Sequence, residues 1–483
     1  MDESAKIEPL YLNQALMTFL FPFSYRRKDR EKIAKNLMNN DYTFFTLNKK
    51  NLVDAYYGES IQVQNEELEQ YFLPFIEHKL FPHEIKQDGF IRFSKKVNES
   101  FTQEIREESF SFSINSLDVT IGPFGIGFIT IRAEMLKSGV EICDLLDFMN
   151  HFRVMEPKIE EEKGAVIKKD NQLFNTSNEF IFDYLCPTIK HFIIHDDKRA
   201  GYFGSLPFFE DERMLTSAFI ITNGDNPITP DHLYRMGQLD GKNTDGRPFM
   251  STTNYEYIKR YVEKHVHDRW APDSYTVTSE HAQITVSNKQ VHQLVRPLSQ
   301  FMGTHYYNLL LHYFYKIMLL RLSFEYSEIQ WEQDEDYVEE LIELITLFSS
   351  RYYFGEVSAR TEGKELAHTY REIFHLDPLF DEVKQTLQEL YRTQENKANK
   401  RHNMLLFMLT VFTVLSGIYG MNLVIEDWKG KTDWSKVPGY SFFEWISLIT
   451  ALAGISLSFI LLTVTGVRGL WKRFRKWKRD QKI

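Results

Sequence analysis

Cysteine is nearly missing from this 483-residue chain: Cys143 and Cys186 are the only two. Two isolated cysteines make neither a disulfide framework nor a cysteine-rich zinc cluster. They are expected as core residues of a protein in a reducing compartment. The N-terminal MDESAKIEPL is acidic and has no basic start followed by a long apolar run, so a secretory signal is not expected. A GxxxxGK[ST] phosphate loop is absent, and no nucleophile–base constellation stands out, so an enzyme is not expected. His265 and His267 in KHVHDRW close a helical pattern; two residues apart, they diverge by about 200° on a helix, which speaks against a shared metal.

Positive charge is scarce in most of the chain. The net charge is -10, yet Arg468 to Ile483 holds eight bases against one acid, a net of +7 that leaves -17 for residues 1–467. An acidic body argues against nucleic acid as a partner. Long apolar runs are equally scarce, with hydrophobic residues at 43% and a mean hydropathy of -0.37.

Two apolar runs remain, both near the C-terminus. Met404 to Met421 (MLLFMLTVFTVLSGIYGM) and Ile446 to Val467 pass the length test for a membrane span, roughly 20 apolar residues. Trp445 and Trp471 flank the second as interfacial anchors. A rival run, Leu309 to Phe324, contains His312, Lys316 and Arg321 and reads as a soluble helix instead. Lys397, Lys400 and Arg401 before the first run and the basic tail after the second put both termini in the cytosol. The expectation is an integral membrane protein of the plasma or inner membrane.

Upstream, residues 1–290 mix helix and strand signals as an α/β domain, with a possible insertion at 155–290. Asp118 to Arg132 reads as two strands around a Gly-Pro turn. Further strands are expected at KHFIIH near Ile193, SAFIIT near Ile220, and in the pair Ser274 to Ser287; Asn254 to His267 reads as helix. Residues 291–401 form a helical stalk. Asp377 and Pro378 mark a helix start. Leu376, Phe380, Val383, Leu387 and Leu390 then recur at steps of four and three. An unbroken helix from Pro378 to Met421 has 44 residues and a length of about 66 Å at roughly 1.5 Å each. Residues 402–422 are the first span, 423–441 the outer loop, 442–467 the second span and 468–483 the basic tail.

A polar seam runs up the first span: Asn396, Asn399, Asn403, Leu406, Thr410, Thr413, Gly417 and Gly420, at heptad steps of three and four. Such small and hydroxyl residues let two helices approach closely. Alternatively, several copies surround a wet axis, since buried amides need partners or water. Two spans per chain cannot enclose a pore, so this second reading requires a homo-oligomer. The helix ends at Tyr419-Gly420-Met421-Asn422. Its last carbonyls are unpaired and carry about half a negative charge, and Asn422 adds an amide oxygen suited to a hard divalent ion or its water shell. Ordinary C-capping by Gly and Asn explains the same residues.

Tyr-Gly-Met-Asn closing the penultimate span, a short outer loop, a final span and a basic tail resemble the CorA-type magnesium channel family, over residues 375–483. The resemblance implies an α+β cytosolic domain, long helices, a two-helix transmembrane hairpin and a homopentameric funnel-shaped channel lined by the first span. Gly420, Met421 and Asn422 would be its selectivity element, with Asn422 meeting the metal. It implies passive Mg2+ transport driven by membrane potential, gated by cytosolic Mg2+. Two charges moved through 100 mV are worth about 4.6 kcal/mol. The outer loop LVIEDWKGKTDW departs from the Met-Pro-Glu-Leu-like loop of many members; Glu426 and Asp427 offer an outer acidic rim there. Transport of Zn2+ or another divalent ion, or a membrane-anchored sensor without transport, are the alternatives.

Overall fold

The computed structural model describes residues 7–48, 57, 61–157, 164–194, 212–224, 226–329, 335–420, 434–446 and 448–450, with single positions 452, 453, 456 and 463. Two compact units divide the chain, Met1–Thr386 and Leu387–Ile483.

Among the described residues, the first unit is built on one twelve-stranded mixed sheet. Its strands are β1 (Tyr11–Ser24), β2 (Thr43–Phe44), β3 (Ile91–Ile105), β4 (Glu108–Ile121), β5 (Ile126–Met135) and β6 (Val140–Glu141). They continue with β7 (Val166–Lys169), β8 (Gln172–Phe174), β9 (Leu215–Thr222), β10 (Val266–His267), β11 (Ser274–Thr278) and β12 (Ala282–Ser287). The main path runs β10-β11-β12-β9-β1-β5-β4-β3-β7-β8, with β2 on β3 and β6 on β1. Every pairing is antiparallel except β12 with β9.

Strand chemistry explains the order. β1 is apolar on both faces (ALMTFLFPF) and buried along most of its length, as a central strand must be. Pro22 is tolerated because the β9 ladder ends at Leu20↔Leu215, so its missing N–H removes no bond on that side. β4 and β5 are the two strands expected around the Gly-Pro turn, with Tyr25 hydroxyl donating to the Gly122 carbonyl at 2.6 Å beneath it. β9, β11 and β12 fall where the sequence placed them. KHFIIH does not form a strand: Pro187 starts a 3-10 turn through Phe192, and Ile193 makes one bridge to Tyr25.

Helices cover the sheet. Tyr306–Ser327 contains the rival apolar run and lies inside this unit, with His312 fully buried. It enters through a π-turn, Phe301–His305. Glu335–Arg351 and Thr361–Ile373 follow. His375, at φ 53, turns the chain into the 45-residue helix Leu376–Gly420. That helix starts two residues before the expected point. Pro378 still falls in the first turn, where a missing N–H breaks no helical bond. Leu376 and Val383 are buried, and Phe380 stacks on Tyr353 at 4.1 Å.

The expected transmembrane hairpin and funnel-shaped channel are corrected by these helices. Among the described residues, no helix is long and apolar enough to cross a membrane. The second expected span, 442–467, lies mostly outside the described residues, as does the basic tail 468–483. An integral membrane location in the plasma or inner membrane, and the reading as a membrane ion channel, lose their structural support with the hairpin.

Candidate functional site

Six of the expected seam residues sit on the helix Leu376–Gly420: Asn396, Asn399, Asn403, Leu406, Thr410 and Thr413, all exposed in the single chain. The Thr410 and Thr413 hydroxyls donate back to the carbonyls of Leu406 and Leu409, each at 2.8 Å. That satisfies them within the helix. Gly417 and Gly420 lie within the helix Leu376–Gly420. Met421, Asn422, Glu426 and Asp427 lie outside the described residues. Beside the seam, large apolar side chains face outward: Met404 is 59% exposed, Phe407 70% and Leu409 64%.

The first unit holds a buried charge cluster. Asp118 on β4 accepts from Arg132 Nη1 on β5 at 2.5 Å and pairs by charge with Arg92 on β3, whose Nε lies 2.9 Å away and donates to Ser94 Oγ at 3.0 Å. Neighbouring strands in register put Arg92 opposite Thr120 and Asp118 opposite Thr130, which brings the three chains to one face. Arg92 Nη1 also donates to the hydroxyls of Tyr57 and Tyr307 at 2.7 and 2.6 Å. Burial pushes the Asp118 carboxyl up, but Arg132 and Arg92 outweigh it and hold it below the usual range. The three side chains fasten sheet to helix, with Asp118 Oδ1, Arg92 Nη2 and Arg132 Nε and Nη2 left without hydrogen-bond partners among the described residues.

A cavity of about 370 Å³ opens at the other end of the sheet. Its floor is a row of residues directly opposite one another on four strands: His267 on β10, Thr276 on β11, Thr285 on β12 and Phe219 on β9. The row forms because the helix Tyr255–His265, capped by the Asn254 side chain on Tyr257 N–H at 3.2 Å, ends just before Val266 turns extended. Thr276 and Thr285 bond through their hydroxyls at 2.9 Å. His267 Nε2 and Arg269 Nη1 both meet Glu365, at 2.8 and 2.7 Å. These bonds, His267 first, hold the Glu365 carboxyl below its ordinary value. Burial pushes the His305 imidazole down to about 4. It is therefore neutral at pH 7, and Glu362 Oε1, 3.5 Å away, forms no ion pair with it. His305 Nε2 is buried without a hydrogen-bond partner.

Sequence reasoning weighed His265 and His267 only as a metal pair. The strand break between them separates their roles: His265 meets the Thr278 carbonyl at 2.8 Å and stacks on Tyr261, while His267 reaches the cavity. The compact HVHDRW cluster was the available signal. Among the described residues, no three or more His, Cys, Asp or Glu side chains are placed to hold a metal ion. Comparison with known protein families, curated proteins and solved structures finds no match.

Proposed function

We propose that this chain transports divalent cations, Mg2+ foremost, as a homo-oligomer associated with a lipid bilayer. The observation that carries the reading is the unbroken helix Leu376–Gly420, which presents an exposed Asn/Thr seam and leads in sequence to Met421-Asn422. Copies of the helix side by side would bring the Asn399 and Asn403 amides to a common axis. Those amides hydrogen-bond a hydrated ion without trapping it as a carboxylate would. Asn422, two residues beyond Gly420 in the sequence, adds a hard oxygen, a ligand type that suits an ion reluctant to shed its water. Exposed Phe407 and Leu409 give each copy an apolar face for its neighbours or for lipid.

The full chain in liposomes, with a Mg2+-reporting dye inside and an imposed potential, tests this. Influx that is lost in Asn422→Ala is expected, together with a multimeric mass in detergent. Zn2+ in place of Mg2+ in the same assay decides the ion. Absence of flux for either ion, or a monomer mass, overturns the proposal.

A further inference from the structure

The cavity on the β9–β12 end of the sheet belongs to none of the cation machinery, and its walls have their own chemistry. One side is apolar and aromatic: Phe219 meets Phe301 edge-on at 5.6 Å, with Leu294 and Leu366 beside them, and Trp270 stands 54% exposed at the rim. The indole N–H of Trp270 points to Glu362 Oε1 at 3.4 Å, which sets the ring's direction. The Thr276 and Thr285 hydroxyls lie in the floor.

The charged lining is cationic on balance. Arg269, Lys289 and Arg296 line the cavity against one acid, Glu362. Arg269 is held by Glu365 at 2.7 Å and is committed to that pair. Lys289 and Arg296 are held far more loosely. Lys289 meets Asp273 at 3.3 Å, and Arg296 meets Glu67 only at 3.8 Å with its side chain 72% exposed. Exposed pairs of this length contribute about 0–1 kcal/mol, so an incoming anion can displace them. The buried, unpartnered Nε2 of His305 adds a polar atom that the protein leaves unsatisfied. Because His305 lines the cavity, that atom is open to a ligand atom or a water.

We propose that this cavity binds a small organic anion carrying a flat ring, of mononucleotide size. The ring packs between the Phe219–Phe301 wall and Trp270, and the anionic group is met by Lys289 and Arg296. About 370 Å³ falls within the range of small-molecule sites, roughly 300–1,000 Å³. A metal ion is the wrong occupant, because cations outnumber acids in the lining. A long peptide is too large for the enclosed floor.

Titration calorimetry of the full chain with AMP and UMP tests the assignment, with adenosine as ring without charge and inorganic phosphate as charge without ring. Either nucleotide is expected to bind. Arg296→Glu and Trp270→Ala, both at exposed positions and each checked for an intact fold by circular dichroism, should each weaken binding by about tenfold or more. Adenosine and phosphate should bind more weakly than the nucleotide. No heat from either nucleotide at millimolar concentration overturns the proposal. So does unchanged affinity in both variants, or phosphate binding as tightly as the nucleotide. Cation flux in liposomes is a separate readout, and its loss or retention leaves this result standing.

Discussion

Asp118 and Arg92 meet at 2.9 Å with both side chains out of water, 0% and 2% exposed. Removing one partner of a buried pair leaves the other charge uncompensated, at a cost of about 3–5 kcal/mol. Asp118→Asn should therefore lower the thermal midpoint of the full chain by several degrees, more than Asp183→Asn at an exposed pair. The sign with pH follows from the lowered carboxyl value. The stabilisation is complete above the unfolded carboxyl value of about 4 and is lost as pH falls through the folded one. Midpoints recorded between pH 7 and pH 3 check it; equal midpoints for both variants would show that the cluster is not a fastening.

His312 gives a second pH dependence with its own window. Burial pushes its imidazole down to about 4; the Asn308 carbonyl opposes this, and Arg371 adds to it. An unfolded histidine titrates near 6.5. Between those values the unfolded chain takes up a proton that the folded chain refuses. Stability is thus full above about pH 6.5 and declines as pH falls towards 4. His312→Phe, close in shape, should flatten the slope of midpoint against pH between 6.5 and 5. A slope identical to the parent's would assign the acid sensitivity elsewhere.

Gly127 lies opposite Phe23 in the β1–β5 ladder, and the phenyl ring covers the place a Cβ would take, with Cζ 2.4 Å from it. Gly127→Ala has to expel that ring from a strand pair buried on both sides. Overpacking of this kind costs about 1–3 kcal/mol. Double substitution with Phe23→Leu should recover part of the loss, a coupling that thermal or chemical unfolding reads directly.

Phe407 and Leu409 stand 70% and 64% exposed on the helix that carries the seam. Polar replacements there, Phe407→Ser with Leu409→Ser, should weaken self-association and lower the mass seen by sedimentation in mild detergent. An unchanged mass would move the contact between copies to other residues.

Much of the sheet was readable where strands alternate. SYTVT and AQITVS carry polar and apolar residues on opposite faces, and they form β11 and β12. β1 has no such period because both its faces are covered, so its apolar run could not be told from a buried helix. KHFIIH has strand composition, but Pro187 fixes a helical turn just ahead of it. The long helix is legible from the three-and-four spacing of Leu376, Phe380 and Val383, whereas a membrane span read from the length of the Met404–Met421 run has no support among the described residues. The cavity was hidden for a different reason. Its parts come from Phe219 through Leu366, and the His267–Glu365 bond closes across 98 positions of sequence. Periodicity reports faces of single elements, not which faces meet.

β1 pairs with β5 on one side and with β9 on the other, the second ladder joining Leu12 to Thr222. During synthesis at about 5–20 residues per second, the β9 strand follows β1 by roughly 10–40 seconds. Through that interval an almost wholly apolar edge has no partner, which is the form of exposed edge most prone to join another chain. The centre of the finished sheet is thus the part of the nascent protein most in need of a chaperone.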